Sequence, residues 1–193
     1  MIKFTLTLTK EEFKLCSDFA KESAKTQREH RSGGTQFRSV VQIESDTLRG
    51  KVAEVIIKNF LAQEPFNVRD ILLDFDIYPR GKWDEQDFTL NGKRISIKSA
   101  KWFSKWLLLE AKDINRQYVY DYYILITIAE DYKSGTVQGF ASKEELDDVK
   151  TLKLNKGELI PNTHTVLDAD NYARHTRDLH NTLDDWNKLI EKN

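Results

Sequence analysis

Four polar residues on one short hairpin carry groups that could do chemistry: Glu85 and Asp87 precede Asn91-Gly92, and Ser96 and Lys98 follow it. Asn-Gly between two runs containing apolar residues signals a tight hairpin over Trp83 to Ser99, because a type I′ turn needs positive φ at both central positions. A two-residue turn sets the register. Leu90 then opposes Lys93, Thr89 opposes Arg94, Phe88 opposes Ile95, Asp87 opposes Ser96, Gln86 opposes Ile97 and Glu85 opposes Lys98. Opposed residues share a sheet face and the face alternates along each strand. One face collects Phe88, Leu90, Ile95 and Ile97; the other collects Glu85, Asp87, Thr89, Arg94, Ser96 and Lys98. Two carboxylates, a hydroxyl and an amine thus share one small surface, the ingredients for holding a cation and moving a proton. The plainer reading is a solvated sheet face on which Glu85 and Lys98 form a cross-strand ion pair.

The order of motifs around the hairpin resembles the PD-(D/E)xK nuclease superfamily, which includes most type II restriction endonucleases. In that family an Asp opens one core strand, a hairpin follows, and (D/E)-x-K lies in the next strand. Asp87-Phe88-Thr89-Leu90-Asn91-Gly92-Lys93-Arg94-Ile95-Ser96-Ile97-Lys98-Ser99 looks like this unit. Gly50-Lys51-Val52-Ala53-Glu54 looks like the helix before it, and Asp121-Tyr122-Tyr123-Ile124-Leu125 like the core strand after it. The resemblance spans about residues 46 to 145. It implies a restriction-endonuclease-like α/β (α+β) fold, a central mixed sheet flanked by helices, and Mg²⁺-dependent cutting of double-stranded DNA.

On that resemblance Asp87 binds the metal, which polarises the scissile phosphate and lowers the pKa of a bound water. Lys98 orients or deprotonates that water and offsets charge developing on the phosphate. The Ile97 carbonyl adds a ligand. Glu54 holds the metal indirectly or receives a second ion; otherwise it is an exposed helix glutamate. Lys93, Arg94, Lys101 and Lys105 contact phosphates, or else form a solvated charge run. One departure matters: Ser96 stands where the family has its second acid, no Pro precedes Asp87, and a hydroxyl is a poor ligand for a hard cation. A subgroup of restriction enzymes has Ser-x-K and draws its acid from the following helix. Glu110 plays that part if Trp102 to Lys112 is helical, and Glu85 is the other stand-in; Glu110 is preferred. The alternative is an inactive relative that binds nucleic acid or a protein partner.

The elements that must hold these residues are legible in outline. Ile2 to Leu8 alternates like a half-buried strand. Thr9 and Glu12 form a capping box opening a helix to about Arg28, and Arg31 to Gln42 reads as a loop around Gly33-Gly34. A second helix runs from near Asp46 to before Pro65, with Ala53, Ile56, Ile57, Phe60 and Leu61 on one stripe. Ile71 to Tyr78, Asp121 to Ile128 and Val137 to Ala141 read as strands, Trp102 to Gln117 as helix or as strand plus loop. Ser142 and Glu145 cap a short helix to about Lys150. The C-terminus reads as helical, with Leu179, Leu183, Trp186 and Ile190 on a stripe that packs on its own domain or forms a dimer contact.

Composition sets the bounds. The 193 residues, 39% hydrophobic and 32% charged, suit one globular domain with helical additions at both ends of its core. A net charge of −1 requires any phosphate-gripping Lys and Arg to be concentrated locally. Cys16 is the sole cysteine, so no intrachain disulfide forms. No apolar run approaches a membrane span and no signal-peptide pattern opens the chain, so a cytoplasmic protein is expected. His30, His164, His175 and His180 lack metal-ligand spacing. Trp83, Trp102, Phe103 and Trp106 read as core packing more readily than as a base-stacking surface. A two-fold homodimer is expected for an enzyme that cuts both strands.

Overall fold

The computed structural model describes residues 4–26, 37–79, 87–114 and 120–191. Strand β1 (Phe4–Thr7) leads into helix α1 (Lys10–Ala24). The Glu12 N–H donates to Thr9 Oγ1 at 3.1 Å and the Thr9 N–H donates to Glu12 Oε2 at 2.8 Å, closing the capping box. The helix ends at Ala24, short of the expected Arg28. Helix α2 (Val40–Ala62) starts earlier than Asp46, because Ser39 and Gln42 form a second capping box inside the segment read as loop. Its stripe is the spine of the molecule: Ala53, Ile56, Ile57, Phe60 and Leu61 are buried.

Strands β2 (Phe88–Leu90), β3 (Lys93–Lys101), β5 (Tyr122–Ile128) and β6 (Ser134–Ser142) join β1 in a five-stranded sheet of order β1-β6-β5-β3-β2. The β3–β5 pair is parallel and the rest antiparallel, so the sheet is mixed. One face carries Ile95, Ile97, Ile124, Ile126 and Val137 against α2. The opposite face is covered by a second sheet, of order β4-β8-β7, that the sequence reading lacked: β4 (Trp106–Glu110), β7 (Thr151–Leu154) and β8 (Asn171–His175). Leu107 and Leu109 pack there with Tyr123, Leu125, Leu146 and Leu179. The architecture is mixed α+β.

Three expectations are corrected, and one left open is decided. Ile71 to Tyr78 joins no sheet; it is irregular chain anchored by buried Ile71, with Phe75 edge-on to Phe19 and the Asp74 carbonyl accepting from Lys51. In the stretch left open between helix and strand plus loop, the described part, Trp102 to Ile114, holds β4 and a single turn, α3 (Ala111–Ile114); alternating Leu107 and Leu109 find a core that only the second sheet creates. Trp102 and Phe103 are 57% and 59% exposed, on the turn between β3 and β4, and are not core. The C-terminal helix, α4, covers only Leu183–Ile190. Trp186, Leu189 and Ile190 pack into the core under α2, while Leu179 belongs to the second cluster, so the supposed dimer stripe is largely consumed within the chain.

Cys16 is fully buried between the helices and the sheet, and burial, reinforced by the charge of Glu54, pushes its thiol up to about 12. The thiolate is the reactive form. A disulfide exchange reagent at mildly alkaline pH is therefore expected to leave the native protein unlabelled and to react once denaturant unfolds it. Rapid stoichiometric labelling under native conditions would show that α1 opens readily.

Candidate active site

The hairpin register is the one the two-residue turn demands: Phe88, Thr89 and Leu90 pair with Ile95, Arg94 and Lys93. Asn91 and Gly92 take φ of 49° and 81°, the left-handed geometry of that turn. Phe88, Leu90, Ile95 and Ile97 are buried on the α2 side. Ser96 and Lys98 therefore turn to the other face, and that face is not a solvated one. Ser96 is only 2% exposed.

Asp87 sits just before β2, partly buried, and its Oδ2 accepts a hydrogen bond from the Ile97 N–H. Burial holds its carboxyl above the usual carboxylate range. The Ile97 N–H, the Lys98 charge, the Ser96 hydroxyl and the more distant Lys51 each pull it back down. Ser96 and Lys98, which alternate on β3, thus act with the Ile97 N–H on one carboxylate. Asp121 ties the hairpin to its parallel neighbour: the Arg94 N–H donates to Asp121 Oδ2 at 2.6 Å, and the Arg94 Nε lies 3.9 Å away.

Lys98 also lines a cleft of about 360 Å³ bounded by β3, β4 and the β7–β8 connection. In β4 the odd residues Leu107 and Leu109 fill the core, so Leu108 and Glu110 face the cleft. Glu110 is there, but as a strand residue opposite Asn171, not on a helix, and its carboxylate is paired with Lys112. The far wall is a small hairpin in the β7–β8 connection, where Ile160 N–H donates to the Thr165 carbonyl at 3.0 Å and Gly157 N–H to the Leu167 carbonyl at 2.9 Å. Ile160 and Leu167 close it, and Asp168 adds a second carboxylate. Sequence reasoning missed Asp168; no local spacing marks a residue brought in by a sheet not yet recognised.

The remaining candidates are dispersed. Glu54 accepts from Lys51 Nζ at 2.5 Å, and that ammonium also donates to the Asp74 carbonyl at 2.6 Å under the rings of Phe19 and Phe75. This buried ion pair holds α2 to the 71–78 segment. Lys93 Nζ donates to the carbonyls of Lys188, Leu189 and Glu191 at 3.0–3.2 Å, capping the C-terminus of α4. Lys101 and Lys105 are exposed at opposite ends of the β3–β4 turn. Glu85 and Trp83 lie outside the described residues.

Mg²⁺ prefers oxygen ligands and is commonly held by one or two carboxylates, with waters and substrate phosphate completing its shell. Asp87 on the hairpin, and Glu110 and Asp168 in the cleft, are carboxylates of that kind. No group of three His, Cys, Asp or Glu side chains suited to a metal occurs among the described residues. Among the described residues no helix is long and apolar enough to cross a membrane. Comparison with protein-family models, with curated proteins and with solved structures finds no match to this chain.

Proposed function

We propose that the chain is a Mg²⁺-dependent DNA endonuclease of restriction type whose active site is built on Asp87 and Lys98. The observation that carries this reading is their convergence: one partly buried carboxylate and one lysine on the same sheet face, with Lys98 opening into a cleft that holds Glu110 and Asp168. When bound, the metal supplies charge for the scissile phosphate and an acidified water. Asp87 and a cleft carboxylate would hold it, with the Ile97 carbonyl as a further oxygen. The Ile97 N–H fixes which Asp87 oxygen points away from the ladder. Lys98 Nζ orients the attacking water, takes or shares its proton, and opposes the charge gathering on the phosphate. Ser96 helps to hold the Asp87 carboxyl ionised and brings no charge of its own. Cutting both strands of a duplex requires two such sites, which a two-fold dimer supplies.

Plasmid nicking with Mg²⁺ and with EDTA tests the proposal, cutting being expected only with the metal. A second reading is favoured by Ser96, which lies buried where the resemblance calls for a second acid: an inactive relative that retains DNA without cleaving it. Metal-independent DNA retention without cutting would establish that reading instead.

The displaced acid has its own test. Glu110→Gln is expected to raise the Mg²⁺ concentration needed for half-maximal cutting before it abolishes turnover, because a lost ligand weakens the ion first. Asp168→Asn, on the same cleft wall, is the comparison. If Glu110→Gln behaves as wild type and Asp168→Asn shows the raised requirement, the second acid is Asp168. If both are silent over the titration, the cleft does not hold the metal.

A further inference from the structure

Lys98 and Lys101 lie three residues apart on β3, about 10 Å at the rise of an extended strand, and point to opposite faces. Lys101 therefore leaves the candidate active site and enters a second cleft, of about 460 Å³, against the first half of α2. Arg38, Ser45, Asp46 and Arg49 line it with Lys101, setting three cations against one carboxylate. Asp46 is already shared: Arg49 Nη1 approaches its Oδ1 at 3.1 Å and Arg38 Nη1 its Oδ2 at 3.5 Å. Arg38 Nε is buried with no hydrogen-bond partner among the described residues. A buried guanidinium N–H left without an acceptor is costly unless one arrives from outside. At the rim, Phe103 is 59% exposed, with Lys101 Nζ 6.0 Å from its ring centre. A cationic cleft beside an exposed aromatic ring matches a strand that offers phosphates to the cations and an unpaired base to the ring. A duplex offers the phosphates but hides the base faces.

We propose that this α2–β3 cleft binds a phosphate of a single nucleic-acid strand, with Phe103 stacking on an adjacent unpaired base. The inference rests on the nuclease reading for its choice of nucleic acid and extends that reading to a strand that is unpaired beside the cut. The neighbouring Trp102 makes a T-shaped contact with the Phe103 ring, 5.5 Å between centroids, and is held there by its Nε1 donating to Glu130 Oε1 at 3.2 Å.

Fluorescence polarisation of a dye-labelled oligothymidylate in EDTA measures binding apart from turnover. Wild type is expected to bind the single strand more tightly than a duplex of equal length. Phe103→Ala should weaken single-strand binding by at least about fivefold, the low end for one base stack. Lys101→Ala should lower the slope of log affinity against log salt by about 0.7, one phosphate contact on a single strand. Both side chains are exposed, so neither change threatens the fold. Equal affinity for duplex with a silent Phe103→Ala would overturn the proposal, as would displacement of the strand by inorganic phosphate at the same concentration as by an oligonucleotide. Strand binding intact in a protein that never cuts DNA would leave this cleft standing and remove the catalytic reading. Metal-dependent cutting with wild-type binding by both variants would do the reverse.

Discussion

Lys98→Ala is expected to lower Mg²⁺-dependent plasmid cleavage by at least ~10²-fold, the low end for loss of an acid–base group. Its side chain lines an open cleft and belongs to neither hydrophobic cluster, so the fold should survive. Circular dichroism and the melting temperature check that condition. Asp87→Asn should be at least as damaging to cleavage, yet it carries a second, opposite signature. A carboxyl whose folded pKa is raised binds its proton more tightly in the native state than in the unfolded one. It therefore disfavours folding once the pH rises above its unfolded value, and the penalty is absent in acid. The amide keeps an oxygen to accept from the Ile97 N–H without the buried charge. Asp87→Asn should thus melt no lower than wild type at neutral pH, a loss of activity without a loss of stability. Near wild-type cutting by a well-folded Lys98→Ala would remove the mechanism. A sharp fall in melting temperature for Asp87→Asn would make Asp87 a structural residue.

The second large effect is on stability. Trp186 is completely buried although it comes from the short terminal helix. Its ring meets Phe60 of α2 and Phe140 of β6 edge-on, both at 4.9 Å between centroids, and its Nε1 donates to Asn181 Oδ1 at 3.0 Å. Trp186→Ala removes all three contacts and opens a cavity where α4, α2 and the sheet meet. The expected cost is about 3–5 kcal/mol, a fall of roughly 6–20 °C in melting temperature for a chain of this size. Trp186→Phe should recover most of the packing but not the hydrogen bond. A cost below about 1 kcal/mol for the alanine variant would mean that α4 is not integral to the core. Lys93 would report the same docking from outside, since its ammonium caps the last carbonyls of that helix.

Local chemistry determined what local chemistry can. Thr9 with Glu12 placed the first helix start, and the stripe from Ala53 to Leu61 placed the buried side of α2. Asn91-Gly92 determined the register that brings Asp87, Ser96 and Lys98 to one face, since a two-residue turn leaves no freedom to slip. The second helix began early for a reason also present in the sequence: Ser39 and Gln42 are a capping box that the nearby glycines outweighed. Other features were decided only in three dimensions. Whether Trp106 to Glu110 is strand or helix depends on β8, which lies more than sixty residues away and pairs with it through Ala173 and Tyr172. A run such as Trp-Leu-Leu-Leu-Glu fits either state until a partner strand satisfies its backbone groups. The same pairing turns Glu110 into the cleft and delivers Asp168 beside it. Glu54 was placed on the correct helix, but its partner is Lys51, buried under the chain at Asp74, and no helical spacing foretells where an irregular segment will fold back. The hairpin's polar face was readable as polar; that it is enclosed, with Ser96 buried and Lys98 at the mouth of a cleft, follows from a second sheet assembled from the far end of the chain.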